Sequence, residues 1–184
     1  ISYYIYISRK GVTNMKIKVE TENGYLPKKY SKYAEEEDKY KGYPKISFPI
    51  TFEEIPSGTK SFALTLIDFD AVGVCGFPWI HWIACDISGE IGKLPENISA
   101  DNTLNIVQGK NSFASDFVGE IDPQIIYGYV GPTPPDKDHK YTLDIYALDC
   151  TSLSLAAGFT LNELYDKIEN HILAKNTLVL KGQC

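Results

Sequence analysis

Two apolar arms joined by a short loop constrain this chain more than any other stretch. The first runs Ser-Phe-Ala-Leu-Thr-Leu-Ile-Asp-Phe-Asp-Ala from Ser61, and the second runs Trp-Ile-His-Trp-Ile-Ala-Cys-Asp-Ile from Trp79. Each has strand length and is rich in β-branched and aromatic residues. Period-two alternation puts Phe62, Leu64 and Leu66 on one face of the first arm, with Asp68 at the end of that face. In the second arm Ile80, Trp82 and Ala84 share one face, while Trp79, His81, Ile83 and Cys85 share the other. A carboxylate and an imidazole thus sit in or beside apolar strands. A buried carboxylate is costly to keep ionised without hydrogen bonds or a charge partner. Asp68, His81 and a later histidine, His139, are therefore expected to meet in one pocket.

The rest of the chain bounds what that pocket can serve. A length of 184 residues suits one domain, large enough to bury roughly 70% of its extended-chain surface. The net charge of -6 argues against a nucleic-acid surface and gives no reason for tight docking on anionic lipid. Cys75, Cys85, Cys150 and Cys184 are scattered with no Cys-x-x-Cys pair, so a zinc ribbon or thioredoxin-type site is not expected. Cys85 reads as a small buried hydrophobe, and reduced thiols fit a cytoplasmic protein. No apolar run reaches the roughly 18 residues of a membrane span. At the N-terminus the basic pair follows the apolar stretch, the reverse of a secretory signal. Met15 is the only methionine and an alternating pattern starts there. Residues 1–14 thus read as an extension foreign to the native protein, and 15–184 as a single domain.

Residues 15–20 alternate like an edge strand, and 46–52 read as another with Pro49 inside it. The stretch 88–102 should be irregular, 103–108 a short strand, and 108–122 a long loop of the kind that often carries function. Residues 125–130 lead into Gly131-Pro-Thr-Pro-Pro, an extended, rigid turn. The run from Tyr141 to Leu148 is a strong strand. Thr160 with Glu163 forms a capping box for a helix whose apolar face holds Leu161, Leu164, Tyr165, Ile168 and Ile172. His171 near that helix's end is assigned no role, and 177–180 reads as a last short strand. The sum is a mainly β, mostly antiparallel domain, a sandwich with a C-terminal α-helix.

Asp68-Phe-Asp70-Ala71-Val72 followed by Trp79-Ile-His81-Trp82, then Tyr129-Val-Gly131-Pro132-Thr-Pro134-Pro135 followed by His139-Lys-Tyr141, form two spaced motifs. With Gln108-Gly-Lys-Asn111-Ser between them, this sequence resembles the phosphatidylethanolamine-binding protein family, in particular its bacterial Raf-kinase-inhibitor-like branch. The resemblance runs from about Met15 to near the C-terminus. It departs at Phe69 and Val72, where the family has prolines, and at Thr133, often Gly or Cys. The segment between Asn111 and Tyr129 is also longer than in many bacterial members. These departures bear on the ligand more than on the fold.

The resemblance implies a Greek-key sandwich of antiparallel sheets with short peripheral helical turns, and a small pocket lined by Asp68, Asp70, His81, Gly131, Pro132, His139 and Tyr141. It implies a non-enzymatic protein with no cofactor that binds a phosphate-type anion or phospholipid head group such as phosphorylethanolamine. It also leaves room for a kinase or protease as protein partner, and for a homodimer. Imidazoles and backbone N–H groups beside a glycine turn suit phosphate oxygens. The alternative is a metal-assisted hydrolase using Asp68, Asp70, His81 and His139, although no His-Glu-x-x-His spacing occurs. No Gly-x-Ser-x-Gly elbow is present, and no cysteine falls within the two motifs.

Overall fold

The computed structural model describes residues 15–184, so the expectation for residues 1–14 lies outside the described part. Its strands are β1 (Lys16–Lys18), β2 (Lys39–Tyr40), β3 (Tyr43–Pro44), β4 (Ile50–Glu53), β5 (Ser61–Asp68), β6 (Trp79–Ser88), β7 (Lys93–Leu94), β8 (Val107–Gln108), β9 (His139–Leu148) and β10 (Ile172–Gly182). The helices are α1 (Val72–Cys75), α2 (Ile98–Asp101), α3 (Pro123–Ile126) and α4 (Leu161–Ile168).

The first apolar arm is the axis of the molecule. As β5 it lies at the centre of a five-stranded sheet of order β10-β9-β5-β6-β8, antiparallel throughout. All eight of its residues are buried, because both faces of the sheet are covered. On one face Phe62, Leu64 and Leu66 join Trp82, Ala84, Leu143 and Ile145 against Ile17, Ile50, Phe52 and Leu94 of a second sheet, β1-β4-β7. Phe52 stacks on Phe62 with ring centroids 4.4 Å apart. Each such side chain contributes about 1.5–3 kcal/mol on full burial. On the other face Ala63, Ile83, Cys85, Tyr146 and Leu148 are roofed by Leu164 and Ile168 of α4. β9 returns after the β5–β6 hairpin to pair with the far side of β5, the crossover of a Greek key.

The capping box holds as read: the Thr160 amide donates to the Glu163 carboxylate at 2.7 Å. Elsewhere the boundaries move. Ladder pairing begins only at Ile50, after Pro49, and the 103–108 strand shrinks to Val107–Gln108. Residues 88–102 contain β7 and α2. Where 125–130 was expected to lead straight into the turn, Asp122 caps a helical turn starting at Pro123, its carboxylate accepting from the Gln124 amide at 2.9 Å. The last strand is much longer than 177–180, and it takes Ile172 away from the α4 face. No helix among the described residues is long and apolar enough to cross a membrane.

Candidate functional site

A register fault builds the site. Leu66 of β5 faces Trp82, yet the next residue, Ile67, faces Ile80, which leaves His81 as the extra residue of a β-bulge. The bulge breaks the alternation, so His81 does not lie opposite Trp82 as its sequence position suggests. Its ring instead meets Tyr141 edge-on, with centroids 5.0 Å apart and planes at 78°, and Tyr141 belongs to the core between the sheets. Ile80 moves the other way and packs with Ile83 and Cys85. An unbroken pleat would have sent the imidazole to the α4 side, away from Asp68.

Asp68, the last residue of β5, pairs with Tyr141 of β9. His139 lies two residues before Tyr141 and so on the same face. The His139 Nδ1 donates to Asp68 Oδ2 at 2.7 Å, and its Nε2 donates to Asp136 Oδ1 at 2.9 Å. Asp68 Oδ1 accepts the Ala71 amide at 3.0 Å. Both nitrogens of a buried ring thus face carboxylates. Burial works against charging His139, but the two hydrogen bonds outweigh it and raise its pKa above the ordinary 6.5. The two acids that clamp His139 favour its charged form.

His81 is its opposite. Burial pushes its pKa down to about 4, despite the Val130 carbonyl that accepts from Nδ1 at 2.7 Å. The ring is neutral near pH 7 and its Nε2 carries a lone pair. Beside it the Tyr141 hydroxyl is buried without a hydrogen bond of good geometry, its interaction with the nearby Asp68 carboxylate falling short of one. Burial and the nearby Asp68 raise its pKa, so it remains a protonated donor.

These four groups line a cavity of about 210 Å³, walled by Trp79 and Phe113 and by the Thr133–Pro135 turn. Phe113 is placed by its neighbours. Ser112 Oγ accepts the Ile80 amide at 2.8 Å, at the bulge itself. Buried Asn111 donates to the carbonyls of Ile125 and Gly128 at 2.7 and 3.0 Å, folding the long loop onto itself. Phe113 then meets Trp79 edge-on at 5.1 Å.

Asp68, His81, His139 and Tyr141 come together, whereas Asp70, Gly131 and Pro132 do not line the cavity. Asp70 accepts the Lys140 amide at 2.9 Å and so seats the start of β9. The Gly131 amide is spent on the Pro44 carbonyl at 2.9 Å, and the Pro132 carbonyl accepts from the Lys32 amide at 2.8 Å. A Cβ on Gly131 would lie 2.8 Å from Pro44 Cβ and also meet the Tyr30 carbonyl. Gly131→Ala should therefore cost about 1–3 kcal/mol in urea unfolding through overpacking. An unchanged midpoint would contradict that packing. Two groups were not expected: Asp136, which does not line the cavity but holds His139 Nε2 and whose signal is an acid three residues before His139 directly after the paired prolines, and Cys75, which does line it. Asp68, Asp70, His81 and His139 do not converge as metal ligands. Among the described residues, the group whose donor atoms do approach one another is Asp149, Cys150 and His171.

Comparison with known proteins gives a consistent picture. The phosphatidylethanolamine-binding protein family profile matches residues 16–183. The chain is 55% identical over 166 residues to the uncharacterized protein YxkA of Bacillus subtilis, covering 90% of this chain and 98% of that one. Among solved structures, CT736 of Chlamydia trachomatis, a phosphatidylethanolamine-binding protein homologue, superposes with a TM-score of 0.71 at 30% identity, over 94% of this chain and 97% of that one. Escherichia coli YbcL gives 0.72 over 92% and 98%, with 22% identity, a likeness of fold.

Proposed function

The chain belongs to the phosphatidylethanolamine-binding protein family, and from that premise we propose that it is a binding protein whose pocket takes a phosphate-type anion, such as a phospholipid head group. One observation carries the reading: a buried Tyr141 hydroxyl without a well-formed hydrogen bond, in a small cavity shared with two imidazoles. A buried donor left unpaired costs about 1–3 kcal/mol, and a ligand oxygen would recover it.

Local charge sets the terms of binding. Asp68 and Asp136 surround His139 and favour its charged form, and His81 is neutral. An anion enters this pocket favourably only with a proton, carried by the ligand or taken up by His81. Asp136 already occupies His139 Nε2, where a phosphate oxygen would dock, but its side chain is 53% exposed and can swing outward. Once displaced, it can accept the ammonium of an ethanolamine head group. The ligand phosphate then receives hydrogen bonds from Tyr141, His139 and protonated His81.

A protein partner is the second reading, favoured by Phe117 and Ile121, which are 95% and 84% exposed beside the pocket loop. Modulation of a kinase or protease would act through them. A hydrolase built on Asp68, Asp70, His81 and His139 draws no support from ligands that do not converge.

Calorimetric titration with phosphorylethanolamine tests the proposal. Tyr141→Phe should weaken binding by about tenfold, the worth of one hydrogen bond to a charged group, without loss of stability. His81→Ala should abolish binding. Wild-type affinity in both variants would remove the ligand from this cavity.

A further inference from the structure

A second constellation lies at the far end of β9, about ten residues and roughly 30 Å from His139. Leu148 and Ile172 are the last paired residues of the β9–β10 ladder, and the Asp149 amide donates to the His171 carbonyl at 3.0 Å just beyond it. The same backbone is fixed again by Ser61 Oγ, which donates to the Cys150 carbonyl at 2.6 Å. Three side chains are thereby held together: one donor atom each from Asp149, Cys150 and His171 lie within 4.8 Å of one another. His171 Nδ1 already donates to Asp149 Oδ1 at 2.7 Å, and Cys150 is a free thiol.

We propose that Asp149, Cys150 and His171 bind a zinc-class divalent cation that clamps the segment 151–170 to the sheet. The donor set selects the metal. A thiolate, an imidazole and a carboxylate suit zinc, whereas calcium and magnesium prefer oxygen alone. Charge balances as well, since thiolate and carboxylate together neutralise a divalent ion. On binding, the Cys150 thiol proton is released to solvent, and the imidazole moves its N–H to the nitrogen that does not ligate. The fourth tetrahedral position is left for water, because the Asp149 and His171 side chains are 49% and 43% exposed and open to solvent. The clamped segment carries α4, whose Leu164 and Ile168 roof the smaller core. A metal that binds only the folded chain therefore stabilises it. The inference is independent of the anion pocket.

The test is titration of the reduced, full chain with zinc, with cobalt(II) as the spectroscopic probe. One zinc per chain is expected, with a rise in Tm and a thiolate-to-cobalt charge-transfer band. His171→Ala and Cys150→Ser should each weaken binding by more than the roughly 10–100-fold typical of a lost supporting residue, while Cys184→Ser leaves it unchanged. His171 is half-exposed, so its variant reports even if Cys150→Ser does not fold. Absence of zinc binding, binding that survives His171→Ala, or zinc-induced shifts at His81 and His139 in place of His171 would each overturn the proposal.

Discussion

Asp68→Ala should lower the unfolding free energy by about 3–5 kcal/mol near pH 6, the usual cost of removing one partner from a buried ion pair. The aspartate is 3% exposed and His139 is 1% exposed, so solvent cannot take the place of the lost carboxylate. The change strands the imidazolium at Nδ1 and leaves the Ala71 amide without its acceptor. Asp68→Asn separates charge from shape. Its oxygen can still accept from Ala71, and its NH₂ can donate to a neutral His139 that keeps its Nε2 proton for Asp136. That variant should lose much less stability but should bring the His139 pKa down. Urea unfolding of both variants, with the His139 titration followed by NMR, checks the contrast. Equal losses, or an unmoved His139 pKa in Asp68→Asn, would show that the pair is not ionic.

Acid should weaken the fold through the other histidine. The folded-state pKa of His81, about 4, lies below the unfolded value of 6.5. Between these values the unfolded chain binds more protons, so stability is intact above pH 6.5 and falls as pH drops towards 4. At about 1.4 kcal/mol per pKa unit, the full effect is about 3 kcal/mol. His139 has the reverse sign: its raised pKa contributes stability that is present below 6.5 and fades as pH rises through its folded value. Unfolding midpoints across pH 4–8 should show the His81 loss, and His81→Gln, which can still donate to the Val130 carbonyl, should remove it. A variant with the same acid slope would assign the loss to other groups. A phosphate ligand that protonates His81 should stabilise the protein more at pH 5 than at pH 8.

The parts of this molecule that were legible in the sequence are those fixed by local pattern. β5, β6 and β9 announce themselves as apolar runs because they are covered on both faces, and α4 through Thr160 and Glu163. β10 is hidden because it is the edge strand of its sheet, where the exposed Lys175, Thr177 and Lys181 and the half-buried Asn176 interrupt its apolar pattern. The bulge at His81 depends on how two strands slip past each other, and no residue in β6 signals it. The sequence brought Asp68 and His81 to one pocket for a sound energetic reason, yet strict alternation put the imidazole on the wrong face. The family resemblance implied Gly131 and Asp70 as pocket residues, while the structure spends their polar groups on Pro44 and Lys140. The Asp149–Cys150–His171 group escaped notice because its members come from the two ends of a long connection.

NMR of the histidine side chains during titration with phosphorylethanolamine reads the pocket where its chemistry lies. The His81 pKa should climb from about 4 towards neutrality as it takes up the proton that accompanies the phosphate, and His139 should shift as Asp136 gives way. Two rings that titrate unchanged at saturating ligand would mean that no phosphate enters between them.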